Sequence, residues 1–273
     1  MADSHLRIGL WISGVVVFFI CALGLVAPFV TYVPEDAVDY ARRLQGPSWS
    51  HLLGTDAHGR DVATRILKGT EAFFFPGILA ATLATVIGGL AGALAGYSRG
   101  IVRGGVTGAM QLIDTLPSLV FIILVCTIFK PSIYLIAVVA GVLFIPAIAT
   151  LIQRRVEALA SEDYILAHLA HGFRPTRILL YHILWLQCRP LLLRQATYVF
   201  GYVLFVETAL SYLGDYGVQE PSPSWGNMIA QARGDALVSV WHWMTPGVAI
   251  IITIAAFLSF GNLLARKDEV ETR

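Results

Sequence analysis

Six long apolar runs constrain this chain more than any other feature: about Ile8 to Tyr32, Ala72 to Tyr97, Val102 to Phe129, Ile133 to Ile152, Leu191 to Leu213 and Trp243 to Ala265. A helix needs ~20 apolar residues to cross a hydrocarbon core of ~30 Å, and each run meets or approaches that length. Membrane-spanning strands would alternate apolar and polar residues, whereas these runs are continuously apolar. The expected fold is therefore an all-α membrane protein of six transmembrane helices. With 56% hydrophobic and only 14% charged residues, the chain falls outside the range of soluble globular proteins.

The formal net charge of +1 gives no reason to expect a nucleic-acid partner, but the placement of charge orients the spans. Arg99 and Arg103 lie between runs two and three, Arg154, Arg155, Arg174, Arg177 and Arg189 between four and five, and Arg266 and Lys267 after six. The positive-inside rule puts these segments, and both termini, in the cytoplasm. The first run exceeds the ~7–15 apolar residues of a cleaved signal and lacks a small-residue cleavage site, so it reads as a retained anchor. Cys21, Cys126 and Cys188 follow no metal or disulfide spacing and read as packing residues.

Four segments follow from this layout. Residues 1–32 form an N-terminal transmembrane helix, 33–71 an outside segment, 72–265 a transmembrane domain with a long cytoplasmic insertion at 153–190, and 266–273 a cytoplasmic tail. The insertion reads as two short helices. Ser161 is placed to cap the first, Ile165, Leu169 and Phe173 form an apolar stripe, Gly172 interrupts, and Pro175 restarts the chain toward His182. On the residues alone this pair either lies on the membrane surface or docks another protein.

Individual residues carry further expectations. Gly88, Gly92 and Gly96, with Ala84 continuing the row, make a small-residue face that lets another helix approach closely. Asp114 and Glu207 fall within spans, where ionisable groups are costly. They either line or gate a pathway or anchor helix contacts. Arg194 sits near the cytoplasmic end of the fifth run and is expected to snorkel. His168 and His171 lack the carboxylate or Cys partners that a metal site needs, so no metal is expected. Trp241 and Trp243 suit the membrane interface, while Trp225 and Asn227 lie in an outside loop rich in Pro, Gly and Ser. No clustered nucleophile and base, and no G-x-x-x-x-G-K-[ST] phosphate loop, is present, so no catalytic residue is expected.

The insertion also carries a resemblance. Leu166-Ala167-His168 followed by Gly172, then His182-Ile183-Leu184-Trp185, is similar to the cytoplasmic Glu-Ala-Ala…Gly…Leu-Pro signature of ABC importer permeases. Here Leu166, His168 and Trp185 replace the Glu, the second Ala and the Pro. Leu53-Gly54-Thr55-Asp56 with Gly59-Arg60-Asp61, Glu207-Thr208-Ala209-Leu210-Ser211-Tyr212-Leu213-Gly214, and Gly217-Val218-Gln219…Pro223-Ser224-Trp225-Gly226-Asn227-Met228 resemble motifs of the C-type subunit in the dipeptide/oligopeptide/nickel group. Asp215-Tyr216 and Ala265-Arg266 depart from the group's pattern.

The resemblance implies a five-helix permease core plus the N-terminal helix, placed in a bacterial inner membrane. It implies that Ala167, Leu169, Gly172 and Phe173 engage an ATP-binding subunit. It further implies a homologous second permease, two ATP-binding subunits that hold ATP and Mg, and a periplasmic or lipid-anchored substrate-binding protein. Trp225 is expected to hold an outside loop that either closes the channel mouth or meets a binding protein. The rival reading is a stand-alone secondary transporter or channel that uses Asp114 and Glu207.

Overall fold

The structure is a computed structural model that describes residues 2–29, 38–214 and 216–271. Among these residues the regular structure is helical. Five helices are long and apolar enough to span a membrane, and a bent pair makes a sixth crossing.

The first span, α1 (Ala2–Val26), runs into a 3-10 turn, Ala27–Phe29. After an irregular segment, α2 (Val62–Gly69) starts where Asp61 accepts hydrogen bonds from the Thr64 amide (2.8 Å) and hydroxyl (2.9 Å). Helix α3 (Glu71–Tyr97) crosses next, followed by α4 (Gly100–Asp114) and α5 (Ser118–Ile128).

The run expected as one third span, Val102 to Phe129, is corrected here: α4 and α5 meet at 76°. Pro117 is the physical reason. It has no amide hydrogen to continue the helix and disfavours helical geometry at Leu116. Helix α6 (Ile133–Ala160) follows after the Lys130-Pro131-Ser132 break and extends two turns past the apolar run, where the Glu157 carboxylate pairs with Arg103 of α4 at 2.6 Å.

Helix α7 (Asp163–Ala170), the single turn α8 (Pro175–Arg177) and a π-helical stretch, Ile178–Trp185, form the insertion. The expected Ser161 cap is not made. Its hydroxyl donates backward to the Ala158 carbonyl (3.2 Å), so Ser161 ends α6 instead of starting α7. Helix α9 (Arg189–Leu213) then returns across the bundle and ends at Gly214. Helix α10 (Trp225–Gln231) lies across its end, and α11 (Trp241–Glu271) is the last span.

The closest helix pair is α3 with α6, and the small-residue row causes it. A methyl group added at Gly88 would sit 3.0 Å from the Ile145 carbonyl oxygen, and one at Gly96 2.7 Å from that of Gln153. One at Gly92 would overlap the Ala149 carbonyl outright. Only glycine lets the two backbones touch here, and Ile148, Ile152 and Val156 fill the seam around it. A second core of aromatic rings joins α1, α3, α9 and α11, with Phe200 stacked on Phe257 at 4.1 Å and Phe74 filling the space beside Gly24.

Because successive spans alternate in direction, residues 98–99, the insertion 161–188 and the end of α11 share one end of the bundle. Residues 38–61, 129–132 and 214–240 share the other.

Candidate functional site

At the insertion end, α7 stops in a Schellman turn: the Phe173 amide donates to the His168 carbonyl at 3.1 Å, and Gly172 takes φ +80°, a left-handed conformation that side chains resist. Ala167, His171, Gly172 and Phe173 are all exposed, and a methyl group on Gly172 would meet nothing within 4 Å. The Leu169 side chain lies outside the described residues. Phe173, His168 and His182 form an aromatic cluster with centroids 4.5 to 6.0 Å apart, and the Arg177 guanidinium stands 5.6 Å from the Phe173 centroid. Alongside runs an open groove of about 650 Å³, lined by Gly172, Phe173, Arg174 and Leu180 among others. The surface is a glycine knuckle with an exposed aromatic ring, ringed by cations.

The opposite end is built around a charge cluster. Asp56 folds its own loop by accepting from the His58 amide (2.8 Å), the Arg60 amide (2.9 Å) and the Arg60 Nε (2.7 Å). Arg60 then reaches across the sequence to Glu220 (2.8 Å) and Gln231 (2.8 Å), and Arg65, 1% exposed, reaches Glu220 at 3.0 Å. Burial pushes the Glu220 carboxyl up, but the hydrogen bond from Arg60 and the charges of Arg65 and Arg60 outweigh it and hold the group below the usual carboxylate range. The cluster fastens the segment after α1 to the loop before α10 and to the last residue of α10.

The Pro-Ser-Trp-Gly-Asn stretch completes this end. Ser224 and Asn227 form a reciprocal capping box at the start of α10, and the Asn227 amide also holds the Ser222 carbonyl at 2.9 Å. Trp225 is only 3% exposed. Its indole donates to the Ile66 carbonyl (2.9 Å), and its ring packs on Phe73 at 4.7 Å. Trp225 thus holds the loop against α2 and α3, while Asn227 folds the loop on itself.

Glu207, 2% exposed, accepts from the Ser211 hydroxyl at 2.6 Å, and that hydroxyl accepts from the Val218 amide at 2.9 Å. The carboxyl ties the end of α9 to the same loop. Asp114 is exposed beside the α4–α5 bend, and no hydrogen bond or ion pair links it to Glu207. Arg60, Arg65, Glu220 and Gln231 were not foreseen as a cluster. The signal for them was partial, since Arg60 stands inside a quoted motif but its partners lie 160 and 171 residues away.

Among the described residues the chain is a polytopic helical bundle with an exposed contact surface at one end and a tied cap at the other. Residues 84–267 match the family described as "Binding-protein-dependent transport system inner membrane component", and the chain belongs to that family. It is a permease subunit of an ABC importer. The chain is 29% identical to a dipeptide transport system permease protein of Alkalihalophilus pseudofirmus over 88% of its own length and 78% of the relative's. It is 30% identical to a relative in Brucella abortus assigned as a peptide transport system permease protein, over 100% and 89% of the two chains. It is 28% identical to an Escherichia coli relative assigned to D,D-dipeptide transport, over 92% and 83%.

Proposed function

We propose that this chain forms one wall of a peptide pathway, with a homologous second permease forming the other. Two ATP-binding subunits, carrying ATP and Mg, dock on the insertion, and an external substrate-binding protein delivers the solute at the capped end. The insertion and both ends of the chain then face the cytoplasm of a bacterial inner membrane, an orientation supported by the Arg-rich segments at that end. Peptides are the solute class that the relatives' names supply.

The observation that carries the reading is the exposed knuckle at Ala167, Gly172 and Phe173, a short helix pair with an apolar ring and a groove beside it. A second face supports the partner permease: α4 buries no residue, and Val120, Leu124 and Ile128 of α5 are also exposed. Closure of the ATP-binding subunits would move α7 and α8, and the π-helical stretch would pass that motion to α9. Asp114 and Glu207 take the supporting roles of a residue at the pathway bend and a tie on the outer loop.

The test is Gly172→Val in the assembled transporter. The left-handed backbone at Gly172 disfavours a β-branched residue by about 1–2 kcal/mol, so the knuckle changes shape while the spans do not. ATP hydrolysis stimulated by the loaded binding protein is expected to fall about tenfold at unchanged subunit stoichiometry. Undiminished stimulation would remove the docking role from this turn.

A further inference from the structure

Arg194 lies five residues into α9, about 7 Å along the helix axis from Arg189 and therefore inside the membrane-spanning stretch. On the antiparallel α11, Asn262 stands five residues before Lys267, at matching depth. Gly261 brings the two helices together: a methyl group there would sit 3.3 Å from the Arg194 Cα and would overlap the Thr197 hydroxyl. Between the helices is a pocket of about 250 Å³ lined by Arg194, Gln195, Thr197, Tyr198, Leu258 and Asn262.

Among the described residues, only one of the donors in this pocket has work inside the protein. Thr197 spends its hydroxyl on the Arg194 carbonyl at 2.8 Å. The side chains of Arg194, Gln195, Tyr198 and Asn262 make no hydrogen bond or ion pair with any described residue. Glu207, the only carboxylate of α9, is more than three turns away. A guanidinium at this depth extends toward the headgroup level, where an anionic phosphate is its natural partner. The pocket supplies a planar cationic fork, together with two amides and a phenol that can each donate, and Leu258 as an apolar wall. That set suits a phosphodiester carrying acyl chains.

We propose that the cleft between α9 and α11 at Arg194 and Asn262 is a binding site for the headgroup of an anionic phospholipid. The proposal depends on the orientation given above only for which leaflet supplies the lipid. Arg189 and Arg266 add positive charge at the same end of the helices, as expected of a pocket that recruits acidic lipid from its own leaflet. The site differs from ordinary snorkelling because Asn262, which carries no charge, contributes to it.

The experiment is native mass spectrometry of the full chain, with its accompanying subunits, titrated with phosphatidylglycerol or phosphatidylcholine. Phosphatidylglycerol is expected to bind about tenfold more tightly. Arg194→Gln should abolish that preference, Arg194→Lys should keep part of it, and Asn262→Leu should reduce it about threefold without any change of charge. Equal binding of the two lipids, or a preference that survives Arg194→Gln, would overturn the proposal. So would a preference untouched by Asn262→Leu, which would reduce Arg194 to a general surface charge. Displacement of the lipid by millimolar inorganic phosphate would assign the site to a free anion, and displacement by a tripeptide would assign it to a transported solute. Either result would also overturn the lipid site while leaving the transport reading intact.

Discussion

Gly92→Leu is expected to leave no correctly packed α3–α6 pair. The first carbon of the new side chain already collides with the Ala149 carbonyl, a backbone group that cannot rotate aside, and Ile152 closes the space behind it. Overpacking a core side chain costs about 1–3 kcal/mol when neighbours can move, and here the obstacle is the helix itself. The helices would have to separate along the whole Gly88–Gly96 row, opening the seam that Ile148, Ile152 and Val156 fill. In a membrane, where lipid competes equally for apolar side chains, that close packing is the main force between the two spans. Detergent-extracted Gly92→Leu protein should lose its monodisperse peak in size-exclusion chromatography. Substitution by leucine at Gly104, where an added carbon meets nothing within 4 Å, should leave the peak in place.

The second large effect is at the outer cap. Asp56→Asn removes one of the two carboxylates that balance the Arg60 and Arg65 guanidiniums, leaving both cations facing the half-exposed Glu220 alone. Breaking a buried ion pair from one side costs about 3–5 kcal/mol because the other charge stays desolvated. Glu220 still offers partial compensation, so about 3 kcal/mol is expected. The measurement is thermal unfolding of the purified chain together with the rate of tryptic cleavage after Arg42 and Arg43. Both should respond strongly in Asp56→Asn. Asp39→Asn, which breaks an ion pair to Arg42 with side chains 58% and 48% exposed, should change stability by under about 0.5 kcal/mol.

The contrast between these two sites shows what was legible in the sequence. The Gly88, Gly92 and Gly96 row could be read because helical spacing is local: residues four apart share a face whatever the rest of the chain does. The spans were legible for a similar reason, since apolar length needs no knowledge of neighbours. The third run was read as one span, and the structure keeps it as one crossing but breaks its helix at Pro117. The proline's effect on direction, a bend of 76°, does not register in hydropathy.

The charge cluster was illegible for the opposite reason. Arg60, Arg65 and Glu220 stand in segments of mixed charge that look alike whether solvated or buried, and only the fold brings residue 60 to residue 220. Within the candidate site, Gly172 was visible as an interruption of the Ile165–Leu169–Phe173 stripe, and its left-handed turn accounts for that interruption. The role of Ser161 was not visible, because a serine between two helices can serve either one, and here it bonds back to Ala158. Trp225 was read as holding an outside loop, but its two internal partners, the Phe73 ring and the Ile66 carbonyl, lie about 150 residues earlier in the chain and left no local pattern. An aromatic residue in a loop carries no sequence mark of whether its partner is internal.

The central claim is that this chain has no transport activity alone and gains it through partners at both ends. The most direct measurement is labelled-peptide uptake into liposomes containing this chain, with the second permease, the ATP-binding subunits and the binding protein added or omitted one at a time. The account predicts uptake only in the complete set with ATP, and none from this chain alone under any ion gradient. Gradient-driven uptake by the chain alone would contradict it.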